Sequence, residues 1–294
     1  MKVIICTTFR EFNGNSNDSI QRLFIDSLKA QSFKDWELVA TTYKEKNVGK
    51  ALKEMKVPHV IYESDLKDCR FSLTEVLVNG AEVARNNAAD LIIWTTCDVI
   101  FEDNFLETII KEYKPGIVGT SHPHLIAETI GDFNKGNVTG ALNEGFDTLY
   151  FDSKILTEKT AAEDIKKYFF KDWGIFEHFL IAFGTFYGSR LVNVWSKSKI
   201  YKISNDRTVN LETNDYLRDS WNKNNPILQK FIKDKNLNDK FSDLIYCHTR
   251  FKALQPAELH TSYWHEYLAY YYSSWRLSIR SKLKSVYVRL YDKK

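Results

Sequence analysis

Over its first hundred residues the chain alternates short apolar runs with stretches of helical spacing, and that rhythm leaves few folds open. Val3-Ile4-Ile5-Cys6, Glu37-Leu38-Val39-Ala40-Thr41, His59-Val60-Ile61-Tyr62 and Leu91-Ile92-Ile93-Trp94 read as strands. Between the first two, Ile20, Leu23, Phe24, Ser27 and Leu28 recur at three- and four-residue spacing, with Asp18 or Ser19 as the cap of that helix. A basic helical stretch runs from about Asn47 to Lys56. Ser72 opens another helix, striped by Leu73, Val76, Leu77, Ala81, Ala84 and Ala88. Strand and helix in turn predict an α/β chain with a mostly parallel sheet flanked by helices.

The run from Leu91 to Phe101 carries the first chemical signal. It is apolar without helical spacing, stops at Asp98, and resumes with Val99-Ile100-Phe101. A buried strand ending in a carboxylate places that group at the sheet edge where open α/β sheets bind ligands. There it suits a hard divalent cation that also holds phosphate oxygens. The plainer alternative is a cap for the helix starting near Asp103.

The middle third changes character. Gly116 to Gly119 and Thr148 to Phe151 read as strands, Ser121 to Gly140 as a long polar loop. Lys171 to Gly184 reads as a turn feeding a buried helix, and Leu191–Trp195 and Ile200–Ile203 as edge-type strands. No linker rich in Pro, Gly or Ser divides the chain, so one continuous body is expected.

Several function classes are disfavoured by what is missing. A net charge of +3 is too small to argue for nucleic acid as a partner. The four cysteines, Cys6, Cys69, Cys97 and Cys247, have no CxxC spacing, so neither a zinc cage nor a disulfide framework is indicated. No GxGxxG or GxxxxGK follows a strand. Met1-Lys2 leads straight into a strand, which argues against a signal peptide. No apolar run reaches the roughly 18 residues of a membrane span. The expected location is the cytoplasm.

Further along, Asn79-Gly80-Ala81 lies on the helix before the Leu91 strand, Thr96-Cys97-Asp98 ends that strand, and Gly174-Ile175-Phe176-Glu177-His178 precedes Gly184. In this order, over roughly residues 1–205, the chain resembles the GT-A fold glycosyltransferases, most closely the bacterial family 2 type. That family has an Asn with small neighbours, an Asp-x-Asp motif, and Gly-x-x-Glu-Asp on a later helix. The resemblance implies a nucleotide-diphospho-sugar donor, a UDP-sugar by default, and inverting transfer to a hydroxyl of a glycan or lipid-linked glycan in polysaccharide biosynthesis. It also implies a nucleotide-binding loop at Thr7, Thr8 and Arg10, with Thr42, Arg70 and Thr96 nearby, and Mg²⁺ or Mn²⁺ on Asp98 with His248 as second ligand. The chain departs from the pattern at three places. Thr96 replaces the first Asp of the motif, Thr41 and Thr42 replace the acids that end the second strand, and His178 replaces the Asp of the Glu-Asp pair.

Sugar transfer needs charge stabilisation on the leaving diphosphate and a base for the acceptor hydroxyl. Glu177, a carboxylate opening an apolar helix, is the first candidate base or else a cap. His178 is the second and Asp172 the third. Asp147, ahead of the Thr148 strand, is read equally as an acceptor-side residue or a turn. The chain then divides into a nucleotide-sugar half (1–118), an acceptor half (119–250) and a helical tail (251–294). In that tail Trp275, Ile279, Leu283, Val286 and Leu290 form a stripe edged by Arg276, Arg280 and Lys284. Such a stripe suits either packing on the body or contact with an anionic membrane surface at the inner face of the cell membrane. Three rivals remain: a degenerate relative that binds nucleotide sugar or glycan without turnover, a sugar-phosphate nucleotidyltransferase, and a peripheral membrane scaffold. The second lacks its Gly-rich loop here.

Overall fold

The computed structural model describes residues 1–237 other than 15, 67–70, 122–124, 128, 138–146, 173–175, 189, 194–197 and 204–214. In chain order the first elements are β1 (Val3–Thr8), α1 (Ser16–Ala30), β2 (Trp36–Thr42), α2 (Val48–Glu54), β3 (His59–Glu63), α3 (Leu73–Asn86) and β4 (Leu91–Thr95). Next come β5 (Val99–Phe101), α4 (Phe105–Glu112), β6 (Ile117–Ser121), β7 (Leu125–Ala127), α5 (Ile130–Asn134) and β8 (Thr148–Asp152). The described chain closes with α6 (Ser153–Thr157), α7 (Lys159–Lys167), α8 (Phe176–Tyr187), β9 (Arg190–Asn193), β10 (Ile200–Ile203) and α9 (Asp215–Asp234).

Among the described residues seven strands form one sheet in the order β3-β2-β1-β4-β8-β6-β9. Only β8 runs against the rest: it pairs antiparallel with β4 and β6, and every other pairing in the sheet is parallel. Side chains alternate across this sheet with both faces buried. Val3, Ile5, Leu91 and Ile93 pack with Phe24, Leu28, Leu52, Phe105 and Ile109 of α1, α2 and α4. Ile4, Cys6, Ile92 and Trp94 pack on the other face with Val76, Leu77, Leu156, Phe179, Phe183 and Phe231. That double burial is why these strands are continuous apolar runs. The fold is mixed α/β with a mostly parallel sheet between helical layers, as the alternation predicts.

Three local expectations are revised. The Leu91–Phe101 run is two strands, because at Thr96 the ladder ends: the Thr96 N–H donates to the Asp147 carbonyl at 3.1 Å. β5 then joins a second, three-stranded sheet in the order β5-β10-β7. Ser121 to Gly140 is not all loop, since it contains β7 and the single turn α5. And β10 is the centre of the small sheet, antiparallel to β5 and parallel to β7, while β9 is an edge as expected.

Candidate active site

Parallel pairing brings the carboxyl ends of β1, β2 and β4 to one edge, Thr8 standing opposite Thr41. Behind this edge α3 lies unusually close to β1. A Cβ on Gly80 would sit 2.8 Å from the Cβ of Cys6 and 2.9 Å from its sulfur. Only a residue without a side chain allows that approach. One residue earlier, the Asn79 side-chain amide donates to the Thr41 hydroxyl at 3.0 Å. The Asn-Gly pair therefore fastens a helix to the end of a strand. Thr42, buried beside Thr41, donates weakly to the Tyr62 carbonyl at 3.4 Å.

The turn Thr96-Cys97-Asp98 faces the loop after β1. Gln21 of α1 joins them: its Oε1 accepts from the Arg10 N–H at 2.6 Å and from the Cys97 thiol at 3.5 Å, and its Nε2 donates to the Arg10 carbonyl at 3.2 Å. Two further buried polar residues, Ser27 of the same helix and Gln31 just beyond its end, hold the chain past the turn. Ser27 Oγ accepts from the Phe101 N–H at 3.2 Å, and Gln31 links the Glu102 carbonyl to the Leu106 N–H at 2.7 and 2.9 Å. Backbone groups leaving the large sheet thus keep their partners. Asn104, not Asp98, occupies the N-cap position of α4, so the capping alternative for Asp98 falls away.

Asp98 meets a partner that the sequence reading passed over. Lys202 of β10 places its Nζ 3.5 Å from Asp98 Oδ2 and 2.6 Å from Asp147 Oδ1. Asp147 precedes β8, and its carbonyl takes both the Thr96 N–H and the Thr95 hydroxyl, each at 3.1 Å. Glu102 holds β10 in place. Its carboxylate accepts from the Lys199 N–H at 2.9 Å and from the Tyr201 hydroxyl at 3.3 Å. A sequence signal for Lys202 existed: in a two-residue period it shares a strand face with Ile200, which is fully buried.

Two oxygens of the turn, Asp98 Oδ1 and Thr96 Oγ1, are buried and accept no hydrogen bond. Buried acceptors without donors are costly in isolation and suit a cation, so the residues present fit a divalent metal on Asp98. Among the described residues no three His, Cys, Asp or Glu side chains gather as a ready-made cage. Most of the metal's shell would therefore come from phosphate oxygens and water. His248 and Arg70 lie outside the described residues.

The candidate bases come from the other layer. α8 starts at Phe176, whose ring packs edge to face on Trp94 of β4 at 5.7 Å, and Glu177 and His178 follow it in the helix's first turn. His178 is half-buried, and of Glu177 the structure describes the backbone. Gly184 lets α8 lie against β6, since a Cβ there would be 2.5 Å from Val118 Cγ1. Asp172 is buried, with its N–H donating to the Phe71 carbonyl at 2.9 Å beside the start of α3.

A mostly parallel sheet with one reversed strand, a strand-ending carboxylate and a second small sheet beside it define a GT-A type of fold. Among solved structures, residues 1–349 of S. aureus TarS in complex with UDP-GlcNAc match with a TM-score of 0.58. The match covers 85% of this chain and 71% of that one at 11% identity. The same TarS segment in complex with UDP gives 0.52 over 85% and 70% at 9% identity. A longer TarS structure gives 0.52 over 85% of this chain and 43% of that one, at 10% identity. No protein-family model and no curated protein matches the sequence.

Proposed function

We propose that this protein transfers a sugar from a nucleotide-diphospho-sugar, with UDP as the first carrier to test, to a hydroxyl of a glycan or lipid-linked glycan, with inversion. One observation carries the reading: the Thr7–Arg10 loop, the Thr96–Asp98 turn and Lys202 converge at the carboxyl edge of β1 and β4. The TarS structures, described with UDP-GlcNAc and with UDP, support the choice of donor class. In this reading the acceptor oxygen attacks the anomeric carbon, the bond from that carbon to the diphosphate oxygen breaks, and the hydroxyl proton passes to Glu177, with His178 as the second candidate. Charge on the departing diphosphate is met by Lys202 and Arg10, and Asp98 would hold a Mg²⁺ or Mn²⁺ ion. A bound metal would supply Lewis-acid stabilisation of the leaving group.

Calorimetric titration of UDP, GDP and CDP into the wild type and Asp98→Ala, with and without Mn²⁺, tests this. One nucleotide should bind with metal present and lose at least tenfold in affinity in the variant. Hydrolysis of the matching nucleotide sugar should follow the same pattern. Binding without turnover would assign the degenerate alternative, which the internal use of the Thr41 and Thr42 hydroxyls favours. If none of the three nucleotides binds under either condition, the transferase reading is wrong.

A further inference from the structure

Asp98 shares its place with a cation of the chain's own. The Lys202 ammonium bridges Asp98 Oδ2 and Asp147 Oδ1 at 3.5 and 2.6 Å. Its side chain is 18% exposed and that of Asp147 only 6%, so this pair is weakly screened by water. The position is held from several directions. Lys202 lies opposite Val99, the residue directly after Asp98, in the β5–β10 ladder. Ile200 and Ile203 on either side of it are buried, and Glu102 binds the neighbouring Lys199 and Tyr201. Lys202 is a fixture of the motif turn, not a surface lysine that reaches it by chance.

We propose that Lys202 makes metal binding conditional on the diphosphate: its ammonium keeps a divalent cation off Asp98 until a nucleoside diphosphate arrives. The proposal rests on the nucleotide-diphosphate reading above. A divalent ion approaching Asp98 alone must compete with an ammonium already paired to that carboxylate, and then face it at close range. A diphosphate reverses the balance. Its oxygens give Lys202 new acceptors, Asp98 is released, and Oδ1, buried without a hydrogen-bond partner, is ready for the ion. The coupling is reciprocal, so metal tightens nucleotide by the same factor that nucleotide tightens metal.

The measurement is Mn²⁺ binding by the full chain, read from the spin-resonance signal of the free aqueous ion, with and without UDP or whichever nucleotide calorimetry selects. The wild type should bind Mn²⁺ at least tenfold more tightly with nucleotide than without. That alone is shared by any site where metal and nucleotide touch, so the variants decide. Lys202→Met should bind Mn²⁺ without nucleotide at least tenfold more tightly than the wild type does, and Lys202→Arg should behave as the wild type. Should Lys202→Met be too unstable, Lys202→Gln is uncharged yet still donates to Asp147, and it gives the same readout. Unchanged Mn²⁺ affinity in the uncharged variant overturns the proposal. So does nucleotide binding that is equally tight in chelator and lost with Lys202, which would make the ammonium the metal's replacement. Both outcomes leave the transferase reading standing. Failure to bind any nucleotide removes that reading and this one together.

Discussion

The two sheets are built on different terms. The seven-stranded sheet is sealed on both faces by large apolar clusters, and its central strands β1, β4 and β8 are buried almost throughout. The three-stranded sheet shares Val99, Phe101 and Ile200 with one of those clusters, has a small one in Ile20, Ile100, Ala127 and Ile203, and adds polar contacts through Glu102, Ser27, Gln31 and Lys202. The difference tells where the molecule holds its shape and where it holds charge. A sheet packed on both faces cannot carry an ionised group at mid-strand without a heavy desolvation cost. Near the end of a short strand such a group can be met by carboxylates, and β10 delivers Lys202 to Asp147 and to a turn that the large sheet has fixed. The large sheet supplies position, the small one electrostatics.

The sharpest way to break this contrast is to overpack the large sheet. Gly119 of β6 stands opposite Tyr150 of β8, whose ring lies over it, and a Cβ at Gly119 would fall 1.7 Å from Tyr150 Cζ. Tyr150 is fully buried and has nowhere to swing. Gly119→Ala should cost about 3 kcal/mol or more in urea unfolding, and adding Tyr150→Leu should return part of it. A loss under about 1 kcal/mol would mean that the large sheet yields as readily as the small one. Next in size is Lys202→Met, which leaves the Asp147 carboxylate buried without this ammonium. Its cost should be roughly 2 kcal/mol, between surface and fully buried ion pairs, and Asp147→Asn in the same chain should recover most of it. No recovery in the double variant would show that Lys202 contributes by packing and not by charge.

How far each region could be read from sequence follows the same division. The first four strands and the helices between them were legible because burial on two faces, or on one helical stripe, writes a period into ten or more residues. Asp98 was legible as the break in an apolar run, and it falls in the turn between β4 and β5. β7 and α5 were not: three residues and a single turn are too short to show a period, and β7 finds its partner β10 about 75 positions away. Gln21 and Lys202 were missed for a related reason. Each is one polar residue inside an apolar pattern, and what gives it meaning, Cys97 for Gln21 and Asp147 for Lys202, lies 76 and 55 positions off in the chain. Gly80 shows the opposite case. Its place in an Asn-Gly-Ala run was visible, while the physical cause, the Cβ and sulfur of Cys6, appears only once α3 is laid on β1.

The smallest effect falls at Cys97, where the two sheets join. Cys97 keeps some exposed surface as a residue, yet burial of its thiol, helped by the Asp98 charge and opposed by Arg10, pushes the pKa from 9.0 up to about 12. In the folded chain the thiol therefore keeps its proton at pH values where the unfolded chain has lost it. The unfolded state then binds fewer protons, so stability falls as pH rises from about 9 towards 12 and is unaffected below that window. One such thiol takes away about 1 kcal/mol by pH 10. Unfolding in urea at pH 8 and pH 10 should show that much less alkaline loss in Cys97→Ala than in the wild type, whatever the variant does to stability at pH 8. Comparing slopes cancels Cys6 and the tyrosines, whose raised values act in the same direction in both proteins. Equal slopes would mean that Cys97 ionises as it would in water. The turn would then be open to solvent from below, and the enclosed setting that makes Asp98 Oδ1 a ready acceptor for a cation would be lost with it.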